Sequence, residues 1–241
     1  MNDVMNEQNE NVTRRESLRK MGVAAAAAAI GLAGAKAMAA DDRAADGAVR
    51  PPKVLLLNGS PRPDGNTFML LSEIKEQLKK HDVEGEIFQI GTRAVRGCID
   101  CGQCHSRRLG RCAFDDDVTD QLIERMSGCD ALIVGSPVYY GMPTGQVVAA
   151  LQRMSYSAGG VLNGKPAAAV AVCRRGGATA SLQTLQMAFQ LFHMPIVTSR
   201  YWNIAYGAAK GEVAKDREGL QTMRSLADDM ARVLRKFAAK T

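Results

Sequence analysis

A chain of 241 residues, 46% hydrophobic and 23% charged, can bury one substantial core; length alone allows one or two domains, and the chain reads as one domain with a leader. The 31 Lys and Arg against 25 Asp and Glu give a formal charge of +6, which fits small anionic ligands and equally a plain solvated surface. Because the basic residues are scattered and aromatics make up only 5% of the chain, a nucleic-acid-binding module is excluded.

The first 39 residues have the order of an export signal. A charged stretch, Thr13-Arg14-Arg15-Glu16-Ser17-Leu18-Arg19-Lys20, precedes an alanine-rich apolar run from Met21 to Ala35, and Lys36-Ala37-Met38-Ala39-Ala40 supplies a small-residue cleavage site. The paired Arg14 and Arg15 resemble a twin-arginine signal, with which a protein crosses the membrane already folded, although Ser17 stands where that signal commonly has phenylalanine. The apolar run is too short and too rich in alanine for a stable membrane anchor. The expectation is cleavage near Ala39, a periplasmic or other extracytoplasmic location, and a flexible linker over 40–52.

From Lys53 to Thr67 the chain reads KVLLLNGSPRPDGNT. Val54 to Leu57 is a continuous apolar run, the pattern of a strand buried on both faces of a parallel sheet. Gly59, Pro61, Pro63 and Gly65 then break regular structure, and Asn66 and Thr67 are N-cap types ahead of an amphipathic helix from Phe68 to Lys80. A strand, a donor-rich loop and a helix N-terminus together favour a phosphate. A Walker A loop would need Gly-Lys-Ser/Thr where this chain has Gly65-Asn66-Thr67, and the dinucleotide pattern G-x-G-x-x-G is missing. An ordinary βα turn that binds nothing is the competing reading.

The loop N-G-S-P-R-x-x-G-N-T resembles the FMN phosphate loop of flavodoxin-like NAD(P)H-dependent FMN reductases and iron-sulfur flavoproteins, and the resemblance runs from about Lys53 to the C-terminus. It implies that Ser60, Arg62, Asn66 and Thr67 surround the single phosphate of FMN.

Beyond this helix, 84–90 forms a short strand, and 93–117 is a long connection that holds four of the six cysteines. A helix follows over 118–126, for which Asp116 or Asp117 is the N-cap; capping is favoured over metal binding for the run Asp115-Asp116-Asp117. The remaining pattern is a strand at 130–136, a helix at 144–156, a strand at 165–173, a helix at 179–193, a strand at 195–200 and an amphipathic helix over 212–240. Alternating strands and helices predict an α/β fold, a doubly wound five-stranded parallel sheet of flavodoxin-like order 2-1-3-4-5 filling 53–241 as one domain.

In such a sheet the loops after the first four strands converge at one edge. Pro137, Val138, Tyr139, Tyr140 and Gly141 resemble the family's second flavin-contacting loop, with a dimer contact as the other use for the tyrosines. Arg174 to Gly177 either completes that site, receives a nicotinamide phosphate or is a mobile loop. No general acid or base stands out, and none is required where a flavin carries the hydride.

Cys98-x2-Cys101-x2-Cys104-x7-Cys112 is a spacing by which one loop can wrap three corners of a 4Fe-4S cluster, the fourth thiolate arriving later. It also resembles the compact cysteine motif of iron-sulfur flavoproteins, which implies these four residues as ligands. Zinc and disulfides are the rival readings, the latter favoured by export. Cys129 and Cys173 fall at strand ends, as small buried hydrophobes.

Taken together, the expectation is an NAD(P)H-dependent FMN reductase-like oxidoreductase passing electrons through FMN and a 4Fe-4S cluster. The alternatives are a non-catalytic electron carrier and a cluster-free flavin or quinone reductase. Its partners would be a small-molecule or protein electron donor and acceptor, and the resemblance implies a homodimer or homotetramer.

Overall fold

The computed structural model describes residues 50–239. The leader at 1–39 and most of the linker lie outside the described residues.

The apolar run Lys53–Asn58 forms β1, an interior strand of a five-stranded sheet of order β2-β1-β3-β4-β5 in which every pairing is parallel. The other strands are β2 (Glu84–Gln89), β3 (Ala131–Pro137), β4 (Ala167–Cys173) and β5 (Ile204–Tyr206). Alternate side chains of β1 serve the two faces. Leu55 and Leu57 join the core under α3 (Thr119–Ser127), α4 (Gly145–Ala158) and α5 (Ala178–Leu191), whereas Val54 and Leu56 join the core under α1 (Asn66–Lys79) and α6 (Arg217–Ala238). A one-turn helix, α2 (Gln103–Ser106), lies within the cysteine-rich connection. The expected fold and strand order are those observed. Among the described residues no helix is long and apolar enough to cross a membrane.

Five local expectations change. The fifth strand was expected at 195–200, but only a short stretch there pairs with the start of β4: Ala167 N donates to Pro195 O and Val197 N to Ala167 O. The chain then leaves the sheet and resumes at Ile204. Asn203 repairs the gap, its side-chain Nδ2 donating to Ala169 O and its own carbonyl accepting from Ala171 N. The detour leaves Tyr201 and Trp202 exposed, their rings tilted against each other with centroids 5.1 Å apart.

At the first helix the cap is Gly65, and Asn66 and Thr67 are already helical. The last helix starts at Arg217, with Asp216 accepting from Gly219 N, after a 3-10 turn at Glu212–Lys215. At the third helix neither Asp116 nor Asp117 is the cap: Val118 holds that position, and Asp117, one residue earlier, accepts from Thr119 N at 2.8 Å. Cys129 and Cys173 are buried as expected. The fifth change, at Tyr140 and Gly141, concerns the functional site.

Candidate functional site

At the C-terminal edge of β1, β3 and β4 a cleft of about 390 Å³ opens, large enough for a small cofactor. One end is the loop after β1. Its shape is imposed by side chains: Ser60 N donates to Asn58 Oδ1, Arg62 N donates to Ser60 Oγ, and Gln89 Nε2 donates to Ser60 O at 2.6 Å. Asn58 and Gln89 are register partners at the ends of β1 and β2 and hydrogen-bond each other. Gly59 is obligatory for close approach, because a Cβ there would stand 2.8 Å from Gly135 O and 2.9 Å from Val147 Cβ.

The loop delivers α1 N-terminus first. The first bond into the helix runs from Met69 N to Gly65 O, so the N–H groups of Asn66, Thr67 and Phe68 have no partner in the helix, and no acidic residue occupies its first turn. Gly65, Asn66 and Thr67 line the cleft, as do the buried Ser60 and the exposed Arg62, whose guanidinium has no partner among the described residues. Such a set of unpaired donors is one that suits an anion.

Asn66 has an additional use that its sequence position did not reveal. Its Nδ2 donates to Ala209 O at 2.9 Å and its Oδ1 accepts from Gly211 N at 2.8 Å. The amide is thereby committed to the loop after β5, leaving the Asn66 backbone N–H toward the cleft. Lys210 pairs with Asp64 across the same junction, and Gly207 and Ala208 become part of the cleft wall. Sequence reasoning missed this loop, since its only local signal is a Gly-Ala-Ala-Lys-Gly run.

The opposite wall is Pro137, Val138 and Tyr139, with Val172 and Arg174 beside them. Tyr140 and Gly141 do not line the cleft. Tyr139 and Met142 exchange backbone bonds of 2.8 and 3.0 Å around a two-residue turn with φ of 52° at Tyr140 and 83° at Gly141, a type I′ geometry. The turn points the Tyr140 side chain outward, fully exposed, while Gly141 packs under Gly177, where a Cβ would approach its Cα to 2.6 Å.

The four cysteines of 98–112 come together. Cys98, Cys101, Cys104 and Cys112 line one small recess against α4, closed by Phe114, Arg153, Tyr156 and neighbours, and no carboxylate or imidazole enters its wall. All six cysteines are free thiols. Cys98 and Cys101 are exposed, Cys112 is half-buried, and Cys104 is buried, which pushes its thiol pKa up. An all-thiol donor set is soft and suits iron-sulfur chemistry. Among the described residues no three His, Cys, Asp or Glu are gathered as for a single ion. A cubane spreads four thiolates over four irons and does not require that gathering.

Arg153 was not foreseen. It sits on the buried side of α4, 1% exposed, with its Nε donating to Cys112 Sγ at 3.3 Å, Nη2 donating to Phe114 O and Nη1 paired with Asp117. The signal available was the acidic run at 115–117, which had no cation assigned to it.

A family model described as NADPH-dependent FMN reductase matches residues 52–209. An iron-sulfur flavoprotein of Methanocaldococcus jannaschii is 32% identical over 191 residues, covering 76% of this chain and 97% of the relative. A second iron-sulfur flavoprotein of the same organism is 29% identical over 196 residues, 76% of this chain and 98% of its own. Among solved structures, FerB, a flavoenzyme NAD(P)H:(acceptor) oxidoreductase from Paracoccus denitrificans, superposes with a TM-score of 0.59 at 17% identity, covering 77% of this chain and 98% of that one, a likeness of fold.

Proposed function

The chain belongs to the NADPH-dependent FMN reductase family and is an FMN-dependent oxidoreductase, and from that premise we propose that the cleft at the sheet edge holds the flavin while the cysteine recess holds a 4Fe-4S cluster. The observation that carries the proposal is the convergence of two sequence-distant loops, 58–67 and 137–139, on one cleft whose far end is built for an anion. In this reading the backbone N–H groups of α1, the Ser60 and Thr67 hydroxyls and the Arg62 guanidinium bind the phosphate. Pro137, Val138 and Tyr139 lie along the ring, Tyr139 offering an aromatic face to it. The loop 207–211, clamped by Asn66, brings Gly207 and Ala208 to the cleft wall, where they would flank the bound cofactor. Bound FMN supplies the two-electron to one-electron chemistry, and the residues of this chain bind and orient it.

Cys98, Cys101, Cys104 and Cys112 would ligate the cluster, a reading supported by their shared recess and by the names of the two relatives. Exposed Cys98, Ile99 and Cys101 put that recess at the surface, where a protein electron partner or a second copy of the chain can reach it. We further propose a homodimer or homotetramer, and export in folded form directed by residues 1–39 with cleavage near Ala39; acquisition of cofactors before export is the physical reason to fold first. NAD(P)H is one donor, and a protein donor is its competitor outside the cytoplasm.

The test is an absorption spectrum with FMN and iron quantitation on protein purified without oxygen, followed by NADH and NADPH turnover. Flavin with about four irons per FMN is the expected result. Flavin without iron would leave a cluster-free reductase, and absence of flavin would remove the cleft assignment.

A further inference from the structure

Arg153 links α4 to the cysteine connection through a guanidinium that is almost wholly buried. A buried cation is costly unless every donor is matched, and here each side of the fork has a designated acceptor. Nη1 meets the Asp117 carboxylate, itself 2% exposed and held by Thr119 N at 2.8 Å and Arg96 N at 3.0 Å. Nη2 meets Phe114 O, and Nε meets Cys112 Sγ at 3.3 Å. If the role of this group were only to pin 112–117 to the helix, apolar packing would serve as well. An N–H aimed at a sulfur has another use.

We infer that Arg153 is a positioning residue for the fourth cluster ligand, holding Cys112 Sγ at the recess and donating to it a charge-assisted hydrogen bond that raises the cluster's reduction potential. The inference rests on the cluster reading above. Three of the thiols arrive within one short stretch, Cys98 and Cys101 exposed on loop and Cys104 on the one-turn helix α2, whereas Cys112 is set in place by an element of the core before any iron is present. A donor and a positive charge beside a ligating sulfur favour the form of the cluster with one more electron.

The experiment compares the wild-type chain, Arg153→Lys and the double variant Arg153→Met/Asp117→Asn, all purified without oxygen. Iron and FMN are counted, and the cluster midpoint is titrated spectroscopically with the FMN midpoint as an internal reference. The double variant leaves no charge buried and keeps the result readable should Arg153→Lys not fold. The expected result is FMN retained in both, with a cluster potential shifted downward relative to the flavin, or with iron lost while flavin is kept. Iron content and cluster potential equal to wild type in both variants would overturn the role of Arg153 and leave the cluster standing. A wild-type protein that carries FMN and no iron would instead overturn the cluster reading and the inference with it.

Discussion

Arg62 holds a free guanidinium at the mouth of the anion site, so its removal should act on binding and little on folding. Arg62→Ala is expected to weaken FMN binding by about 1.5–3 kcal/mol, the range for a hydrogen bond to a charged group, in a calorimetric titration of the apoprotein. Unchanged affinity would take Arg62 out of the phosphate site. The two tyrosines separate in the same assay. Tyr139 lines the cleft, and Tyr139→Ala should lower affinity and alter the bound flavin spectrum. Tyr140 occupies a left-handed position with its ring in solvent, so Tyr140→Gly should leave binding intact and gain up to about 1 kcal/mol of stability from relieved backbone strain. Neither residue type nor spacing separated this pair; the direction of the turn did.

Between elements, the strongest constraints are contacts that lie far apart in sequence. Gly59 sits where the loop after β1 crosses β3, and Gly59→Ala must push Gly135 O or Val147 aside. A loss of about 1–3 kcal/mol in urea unfolding, together with weaker FMN binding, is the expected outcome; a full-strength site in a destabilised protein would show that the loop tolerates displacement. The Arg153–Asp117 pair ties α4 to the N-terminus of α3. Burial alone would raise the Asp117 pKa, but hydrogen bonds from Thr119 and Arg96 and the charge of Arg153 overcome it and leave the pKa lowered. A carboxylate with a folded pKa below its unfolded value of about 3.9 contributes stability that is fully present above that value and is lost as pH falls through the folded pKa. Asp117→Asn leaves the buried guanidinium only the more distant, half-exposed Asp116 carboxylate at 3.6 Å, and should therefore cost up to about 3–5 kcal/mol at neutral pH and flatten the acid limb of the stability profile. An acid limb unchanged in the variant would mean that other carboxylates set it.

For the molecule as a whole, α6 covers one entire face of the sheet with α1, burying Met223, Leu226, Met230 and Leu234 against Val54, Leu56 and Ile133. Each large apolar side chain buried there is worth about 1.5–3 kcal/mol, so a chain ending at Asp216 is expected to lose cooperative thermal unfolding and FMN binding together. Retention of either would mean that the face finds another cover.

The architecture was written in local patterns. Continuous apolar runs at β1, β3 and β4 identified a sheet buried on both faces, glycines and prolines marked where each run stopped, and their alternation with amphipathic helices left a parallel order as the natural solution. The donor-rich loop after β1 and the cysteine spacing stand out in the sequence for the same reason, because each is a short stretch whose character depends on near neighbours. Tertiary structure alone decided the rest. The fifth strand begins beside Ala167, departs and resumes at Ile204, since Asn203 can substitute for strand bonds only when β4 lies next to it. The amide of Asn66 turned to a loop 143 residues away, and Arg153 reached Cys112 across 41 residues. Such pairings depend on which elements the sheet order brings together, and a side chain with several possible partners takes the one the packed core leaves within reach.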